Sequence, residues 1–438
     1  MGAELDRPAG PLLAVAACLS LHSAGRRARP TSRSPARLRR LLEPPPCETP
    51  CPGAAPPSSF PPPPCGDLGG AVVGRGRVSG ARRRSGRLWE GWSSVRVFGR
   101  GPGGAEVRVF DLDDGRGMRA RVTDLGAALV GLDVPDASGR TADVVLGFDS
   151  AEEYAGEANP HMGATVGRVA NRVSGAAFEL DGAEHRLTAN EPPNHLHGGG
   201  AGRLGLLVWR AVAADAGSVV LECESPAGSE GYPGRLRVRA AYRLGGGALE
   251  VSYRAESDAA TPVNLTNHAY FDLAGAGEEG GVLGHRLRVE ADRYTPVGEG
   301  MLPTGRVEPV EGPLDLRAGR RIGDGVAELA ADPVVAGYDH NFVLRGGGGV
   351  RTAAVLSDPA SGRVMELETD QPCLQVYSGN RVPRGLAGKG GRVYGPRGSV
   401  CLEPQGYPDA PNRPEFPGAV LRPGEVYERT IRYRFRAG

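Results

Sequence analysis

The sequence LRVRAAYRLGGGALEVSYRA, residues 236–255, contains two segments in which apolar and polar side chains alternate, joined by glycines. Alternation with a period of two places the apolar side chains on one face of a β-strand, so the two segments are predicted to pair as an antiparallel hairpin. A helix needs apolar side chains every three to four residues, and Asp324–Ala331 is the only segment whose pattern favours one. The stretch therefore predicts a β-sheet that turns one face towards a core.

The same alternation recurs along the chain from Val95 onward. One predicted hairpin has arms at 129–134 and 143–148, and a second turns at Asp181-Gly182. Other predicted strands lie at 219–224, 287–291, 353–357, 364–369, 374–377 and 429–436. Many short alternating strands between Gly-, Pro- and Asp-containing turns indicate an all-β fold, a large antiparallel sandwich or barrel.

The composition excludes several classes of protein. The 438 residues include 68 Gly and 38 Pro, which argues against a helical bundle or a coiled coil. No segment approaches ~20 consecutive apolar residues, so no membrane span is predicted. Residues 88–438 carry 38 basic and 46 acidic side chains, and such a mildly acidic body is not typical of a nucleic-acid-binding protein. Lys389 is the only lysine, so Schiff-base chemistry has a single amine available.

Residues 1–90 differ in composition from the rest of the chain. Residues 44–64 include 11 prolines, and residues 26–87 hold 13 arginines against three acidic residues. A segment of this kind cannot bury enough apolar surface to offset its conformational entropy, so residues 1–90 are predicted to be a disordered Pro/Arg/Gly-rich extension. Residues 91–438 are predicted to form the folded domain. We expect a cytoplasmic location, or a plastid or secreted one if the extension is a targeting segment; a mis-assigned start codon would look similar.

Histidines next to other polar groups mark three candidate functional segments, which are 194–200, 264–271 and 338–342. In the first, a His-x-His pair on a strand would direct both imidazoles to one face, which is how some metal sites begin. No Glu that could complete such a site occurs between His197 and Glu222. The alternatives are that His195 and His197 are one structural and one ligand-binding histidine, or that both pack within a loop. Cys47 and Cys51 also lie close together, but no partner His follows them.

A carboxylate and a pair of planar side chains are further candidates. Glu403 ends an apolar strand segment, where it is either a salt-bridged structural acid or a general base with a shifted pKa. Asn171 and Arg172, which follow Gly167-Arg168, offer donors that suit sugar hydroxyls. Taken singly, each arginine is expected at the surface.

Eight strings in order resemble the aldose 1-epimerase (galactose mutarotase) family, over roughly Asp124 to Arg434. They are DVVLGFD (143–149), GRVANRV (167–173), PNHLHGG (193–199), SEGYPG (229–234), TPVNLTNHAYF (261–271), ADRYTPV (291–297), DHNF (339–342) and LRPGE (421–425). The resemblance implies a galactose mutarotase-like β-supersandwich and an isomerase that interconverts the α and β anomers of free hexoses such as galactose and glucose. Residues 91–438 would be its catalytic domain.

The resemblance also implies roles for individual residues. His268 would be the general acid and Glu403 the general base, protonated and ionised, respectively, at the start of each turnover. The implied sugar-binding residues are Asn171, Arg172, His197, Tyr270, Asp339 and Gln375. The reaction consumes no redox equivalent or phosphate, so no cofactor or metal is expected. The expected partner is a small sugar, with no nucleic acid and no membrane, and the expected assembly is a monomer or weak dimer.

Other functions stay open at this point. The same fold could serve a hexose-phosphate mutarotase, which needs extra arginines for the phosphate. It could also serve a sugar-binding protein without turnover, and a metal-dependent isomerase remains a further alternative. The preferred aldose does not follow from the sequence.

Overall fold

The computed structural model describes residues 95–332 and 334–437, with only the backbone of Ala437. The predicted extension over residues 1–90, with its targeting role and the Cys47/Cys51 pair, lies outside these residues. The described part of the chain is almost entirely antiparallel β-sheet, which confirms the predicted all-β class. Within it, no helix is both long and apolar enough to cross a membrane.

Two α-helices and thirty strands make up the regular structure of the described residues. The helices are α1 (Ala151–Ala155) and α2 (Ile322–Leu329). In chain order the strands are β1 (Val95–Arg100), β2 (Glu106–Asp113), β3 (Arg119–Thr123), β4 (Ala128–Pro135), β5 (Thr141–Asp143), β6 (Thr165–Val166), β7 (Arg172–Val173), β8 (Ala177–Leu180), β9 (Ala183–Arg186), β10 (His195–Leu196), β11 (Arg210–Ala214), β12 (Ser218–Ser225), β13 (Leu236–Gly245), β14 (Ala248–Ser257), β15 (Thr261–Pro262), β16 (Thr266–Asn267), β17 (Tyr270–Phe271), β18 (Arg286–Val289), β19 (Ala291–Thr295), β20 (Glu308–Pro309), β21 (Arg320–Arg321), β22 (Asp339–Leu344), β23 (Arg351–Ser357), β24 (Arg363–Thr369), β25 (Cys373–Tyr377), β26 (Leu386–Ala387), β27 (Val393–Tyr394), β28 (Val400–Gln405), β29 (Val420–Leu421) and β30 (Tyr427–Ala437).

Three large sheets enclose one hydrophobic core. A nine-stranded sheet has the order β11-β12-β13-β14-β30-β24-β23-β18-β21, a six-stranded sheet the order β17-β28-β25-β22-β19-β20, and a five-stranded sheet the order β1 to β5. Apolar side chains from all three meet in one cluster, for example Val238 and Tyr433 of the first sheet, Leu374 and Leu402 of the second, and Val122 of the third. The six-stranded sheet thus has one face on the core, which leaves its other face for polar residues.

The stretch 236–255 forms the predicted hairpin, β13 and β14. Ten residue pairs join the strands, from Leu236 opposite Ser257 to Gly245 opposite Ala248. Alternate residues of β13 are fully or almost fully buried, beginning with Leu236 and Val238. The turn uses left-handed backbone at Gly246 and Gly247, with φ of 60° and 75°, which glycine adopts at little cost.

Two sequence predictions about local structure were wrong. The second arm of the first hairpin is β5, Thr141–Asp143, rather than 143–148. The Val144 N–H still donates to the Leu132 carbonyl of β4, and beyond Val144 the chain leaves this strand. The Asp143 side chain accepts from the backbone N–H of Leu132 and of Val145, and Val145 bridges to Phe271 in another sheet.

The predicted helix is present with its bounds shifted by two residues, and the expectation that it is the only helix was wrong. The predicted helix 324–331 is α2 and runs from Ile322 to Leu329. A second helix, α1, was missed because it has only five residues. Its signal was present in the sequence as Ser150 and Glu153, whose side chains cap each other's backbone N–H groups.

Arg168 is buried, contrary to the expectation that it lies at the surface. Its guanidinium donates to the Ser225 and Thr261 hydroxyls and to the backbone carbonyls of residues 225, 226 and 233. It also lies over the ring of Tyr232, with Cζ 5.5 Å from the centroid. The Tyr232 hydroxyl bonds in turn to Nε2 of His195 at 2.8 Å. Arg168 therefore supports the segment that carries the PNHLHGG string.

We expect Arg168→Met to lower the free energy of unfolding by about 3 kcal/mol or more, because three backbone carbonyls and the buried Ser225 and Thr261 hydroxyls lose their donor. Arg237→Met is the matched control, since Arg237 is exposed and forms a surface ion pair with Glu224. This substitution should lower the free energy of unfolding by less than about 1 kcal/mol. Urea denaturation followed by tryptophan fluorescence measures both. Equal losses in the two variants would contradict the structural role of Arg168.

Candidate active site

The outer face of the six-stranded sheet carries the polar side chains of the candidate site. The pairing places Gln375 of β25 opposite Glu403 of β28, and Asn341 of β22 opposite Gln375, so all three point the same way. On the opposite face, Leu402 and Phe342 enter the hydrophobic core. The sheet therefore separates a polar surface from the core by the alternation of its strands alone.

His268 is fixed on both its backbone and its ring. It lies between β16 and β17, where its N–H donates to the Ala164 carbonyl and its carbonyl accepts from Gly163. The ring of Tyr270 stacks on the imidazole with centroids 4.9 Å apart. The Tyr270 hydroxyl is itself anchored to the Pro160 carbonyl at 2.8 Å. Stacking on an anchored ring fixes the direction in which the imidazole points.

That direction brings His268 to Glu403. The His268 Nε2 lies 3.6 Å from Glu403 Oε2, and both residues are buried. Burial lowers the pKa of His268 to about 4. Burial, and after it the negative charge of Asp339, raises the pKa of Glu403 well above its ordinary value. Both shifts oppose charge, so desolvation in the free cleft favours the state in which the carboxyl group holds the proton and the imidazole is neutral.

This protonation state differs from the sequence-based expectation of an ionised Glu403 and a protonated His268. Both arrangements contain one proton, so they are two states of the same pair. Removal of water from both groups favours the neutral state, because a charge loses more hydration energy on burial than a neutral group does. The ionised state needs hydrogen bonds that the cleft by itself does not supply to Glu403 Oε2, which has no partner.

Asn171 and Arg172 lie beside the pair, on and next to β7. Asn171 has φ of 63°, a left-handed conformation that Asn tolerates better than most residues. Arg172 is buried and donates from Nε and from a terminal nitrogen to the two carboxylate oxygens of Glu191, at 2.5 and 2.7 Å. The expected surface position for Arg172 is therefore wrong. The bidentate pair holds the guanidinium plane still at the edge of the cleft.

The two histidines of the His-x-His string have separate roles. The His195 ring is fully buried, with Nδ1 at 2.7 Å from the Thr188 carbonyl and Nε2 at the Tyr232 hydroxyl. His197 has φ of 51°, so the chain turns after β10 and the two rings do not share a face. Of the alternatives left open by the sequence, the geometry matches one structural and one cleft-facing histidine.

His197 is held in a defined tautomer. Its Nδ1 accepts the backbone N–H of Asn171 at 3.3 Å. Desolvation, followed by the charges that His161 and His268 would carry, lowers the pKa of His197 well below its usual range. A neutral ring that accepts at Nδ1 carries its proton on Nε2. His197 therefore offers one N–H donor to the cleft.

All eight sequence-predicted site residues line a single cleft. It encloses about 680 Å³, including the space at its mouth, which is within the range of small-molecule sites. Asp339 and Gln375 form its floor together, since Gln375 Nε2 donates to Asp339 Oδ1 at 2.7 Å. The residues are Asn171, Arg172, His197, His268, Tyr270, Asp339, Gln375 and Glu403. Their individual roles stay predictions.

The sequence analysis missed six residues of the lining: Pro160, His161, Glu191, Leu196, Tyr377 and Arg381. His161 is the most informative, because its ring lies 5.0 Å from that of His197 and 6.0 Å from that of His268. Desolvation, followed by the charges of His268 and Arg203, lowers the pKa of His161 to about 3, so the ring is neutral. Nothing in its local sequence distinguished it, whereas the charge of Glu191 near the PNHLHGG string could have suggested a partner for Arg172.

The described residues contain one group of three side chains placed to hold a metal ion. The His268, Cys401 and Glu403 ligand atoms all lie within 4.8 Å of one another. The group overlaps the acid/base pair, and its donors are one nitrogen, one sulfur and one oxygen.

Comparison with known proteins places this chain in a family. The aldose 1-epimerase family model matches residues 108–434. Galactose mutarotase of Homo sapiens is 43% identical over 341 residues, which cover 77% of this chain and 97% of that protein. Aldose 1-epimerase of Escherichia coli (strain K12) is 35% identical over 344 residues, with the same coverage of 77% and 97%.

Solved structures of the same family have the same fold as this chain. The GalM/aldose epimerase homologue from C. elegans matches with a TM-score of 0.70 at 29% identity, over 75% of this chain and 98% of that one. Galactose 1-epimerase from Lactobacillus acidophilus NCFM matches with a TM-score of 0.65 at 29% identity, over 78% of this chain and 98% of that one. The predicted galactose mutarotase-like sandwich is thereby confirmed. The chain belongs to the aldose 1-epimerase family.

Proposed function

We propose that this protein is an aldose 1-epimerase, an isomerase that interconverts the α and β anomers of free hexoses such as galactose and glucose. The observation that carries the proposal is the buried pair of His268 Nε2 and Glu403 Oε2, 3.6 Å apart at one cleft. One imidazole and one carboxyl group at this spacing can serve the two oxygens bonded to a single anomeric carbon. The names of the relatives, galactose mutarotase and aldose 1-epimerase, support the same activity.

The reaction needs two proton transfers around one carbon. A base removes the proton of the anomeric hydroxyl while an acid protonates the ring oxygen, so that the C1–O5 bond breaks and an open-chain aldehyde forms. Rotation about C1–C2 then presents the other face of the carbonyl, and the reverse transfers close the ring. Glu403 is proposed as the base and His268 as the acid, each contributing about 10²- to 10⁴-fold as positioned groups do.

The shared proton of the pair fits this cycle. A proton that moves from the Glu403 carboxyl group to His268 Nε2 converts the neutral resting pair into the reactive ionised pair. The distance of 3.6 Å shortens to an ordinary hydrogen bond with a small side-chain movement. Bound sugar favours the ionised state, because its anomeric hydroxyl donates a hydrogen bond to the carboxylate and its ring oxygen accepts one from the imidazolium. Each turnover returns the proton to the pair.

The remaining residues of the cleft are proposed to hold the sugar. His197 donates from Nε2, and Asp339 accepts hydroxyl protons next to the amide of Gln375. Arg172, already fixed by Glu191, presents its remaining N–H groups. Several directional hydrogen bonds on a small polyol fix the anomeric carbon relative to the acid and base, and this positioning is itself a large part of catalysis.

The charge of the cleft supports free sugars over sugar phosphates. Its lining carries three carboxyl groups, those of Glu191, Asp339 and Glu403, against the guanidinium groups of Arg172 and Arg381. The Arg172 charge is already matched by Glu191. With the Glu403 carboxyl group neutral, the lining offers a phosphate dianion no surplus of positive charge, so desolvation of the dianion has a cost that a neutral hexose avoids.

The domain that carries the activity, the location and the assembly state belong to the same proposal. We assign the activity to residues 91–438, since the family match begins at residue 108 and the described strands begin at Val95. We also propose a cytoplasmic location, with a plastid or secreted one as the alternative. The proposed assembly is a monomer or a weak dimer. A sugar-binding protein without turnover is the second candidate, and the rate measurements below separate it from the enzyme.

We expect the protein to accelerate the change in optical rotation of fresh α-D-galactose and α-D-glucose. Glu403→Gln and His268→Asn should each reduce kcat/KM by about 10²- to 10⁴-fold, because each removes one proton-transfer group. Polarimetry at several sugar concentrations measures the rates, and thermal unfolding checks that the variants remain folded.

Glu184→Gln and His185→Asn, which lie side by side on β9 away from the cleft lining, are matched controls for these substitutions. They should keep the wild-type rate. A folded Glu403→Gln or His268→Asn variant with the wild-type rate would refute the acid/base assignment. A wild-type protein that binds galactose without changing its rate of mutarotation would instead favour the binding-protein alternative.

We expect α-D-glucose 6-phosphate to be turned over with a kcat/KM at least about tenfold below that of α-D-glucose, since the cleft lining offers no surplus of positive charge to a phosphate. A tenfold difference corresponds to about 1.4 kcal/mol in transition-state stabilisation. The same polarimetric assay, corrected for the spontaneous rate of each sugar, gives both constants. A higher kcat/KM for the phosphate would reverse the substrate assignment in favour of a hexose-phosphate mutarotase.

A further inference from the structure

Cys401 lies directly beneath the acid/base pair, although the proposed reaction does not use it. It precedes Glu403 by two positions on β28, so both side chains leave the same face of the strand. Its pairing partners are Tyr270 on one side and Tyr377 on the other. The thiol is completely buried. Its sulfur, a ring nitrogen of His268 and a Glu403 oxygen all lie within 4.8 Å of one another.

A second observation indicates that this group can receive a cation. Glu403 is only 2% exposed, and its Oε2 has no hydrogen-bond partner among the residues that the structure describes. An unpartnered buried carboxyl oxygen is unusual, because it has lost water without gaining another contact. This atom is the one that faces His268 Nε2. It is therefore directed towards the other two ligands rather than away from them.

The spacing fits a tetrahedral ion. Zinc binds nitrogen and oxygen at about 2.0–2.2 Å and sulfur at about 2.3 Å, which places neighbouring ligand atoms about 3.3–3.6 Å apart. The nitrogen and oxygen are already 3.6 Å apart. The sulfur needs to approach by at most about 1.5 Å, within reach of small side-chain rotations. Nitrogen, sulfur and oxygen together favour a borderline or soft divalent ion over magnesium or calcium.

We propose that His268, Cys401 and Glu403 form an inhibitory site for Zn²⁺ or a chemically similar ion such as Cd²⁺. The ion bonds to His268 Nε2, Cys401 Sγ and a carboxylate oxygen of Glu403, and its fourth position opens to the cleft. Binding displaces the thiol proton and the carboxyl proton to the solvent. The inhibition rests on the proposed function, whereas the binding itself does not.

The consequence for turnover is direct. The ion occupies the two groups that must exchange protons with the sugar, so it blocks the acid and the base together. Burial raises the pKa of the Cys401 thiol well above its ordinary value, so the ion has to displace a firmly held proton. The ion acts as a reversible inhibitor and not as a cofactor, since the proposed reaction needs the imidazole and the carboxylate free.

Cadmium titration of the purified full-length chain tests the binding without reference to activity. Bound thiolate gives a sulfur-to-cadmium charge-transfer band in the ultraviolet. We expect Cys401→Ala to lose one equivalent of this band compared with the wild type. Cys373→Ala is the matched control, because Cys373 is an equally buried thiol of the same sheet outside the three-ligand group; it should keep the full band. Cys401→Ser, which preserves the side-chain size, is a second variant and should behave like Cys401→Ala.

Polarimetry with added Zn²⁺ then tests the inhibition, with each variant compared with its own rate in the presence of chelator. The wild type and Cys373→Ala should be inhibited and recover on addition of chelator. Both Cys401 variants should need at least about tenfold more Zn²⁺ for the same inhibition. Equal bands and equal inhibition in wild type and Cys401 variants would overturn the site. A cadmium band that depends on Cys401 in a protein without mutarotase activity would uphold the metal site and refute the proposed function.

Discussion

The contact between His268 and Glu403 is the interaction on which the rest of the site depends. Two ionisable groups 3.6 Å apart in a buried position can carry two charges only at a large cost in hydration, so they hold one proton between them. Such a pair works only if both side chains are held against their tendency to turn towards water. The surrounding structure provides this restraint by an anchored aromatic ring on one side and a paired strand on the other.

Strand register supplies the second restraint. β17 pairs with β28 only at Val400 and Cys401, so β28 has no partner in β17 at Glu403 and beyond. Pro404, which cannot donate a ladder hydrogen bond, is acceptable there for that reason. On its other side β28 stays paired with β25 through Gln405. A slip of one residue would exchange Glu403 with Leu402, placing a carboxyl group in the core and an apolar side chain in the cleft.

Much of this arrangement follows from the sequence, but a specific part does not. Period-two alternation located longer strands such as β12, β13, β14 and β30, and the family resemblance pointed to His268 and Glu403 before any distance was known. The alternation could not show where a chain leaves one sheet for another, which is why the arm after Asp143 was misplaced. Positive backbone angles, such as that of His197, also leave no mark on the apolar pattern. The contact between Arg172 and Glu191 depends on tertiary packing, so spacing along the chain could not reveal it.

A neutral resting pair suits a neutral substrate. When a hexose enters, no net charge is buried or released, so the binding energy of its hydroxyl groups is available for orientation instead of for desolvation of ions. The proton has less than 4 Å to cross between Glu403 and His268 inside one cavity, and hydrogen bonds from the bound sugar offset the cost of the two charges that the transfer creates. A more exposed pair would ionise readily but would hold its geometry poorly. The burial that lowers the pKa of His268 therefore also fixes its separation from Glu403, which the proposed acid/base mechanism requires.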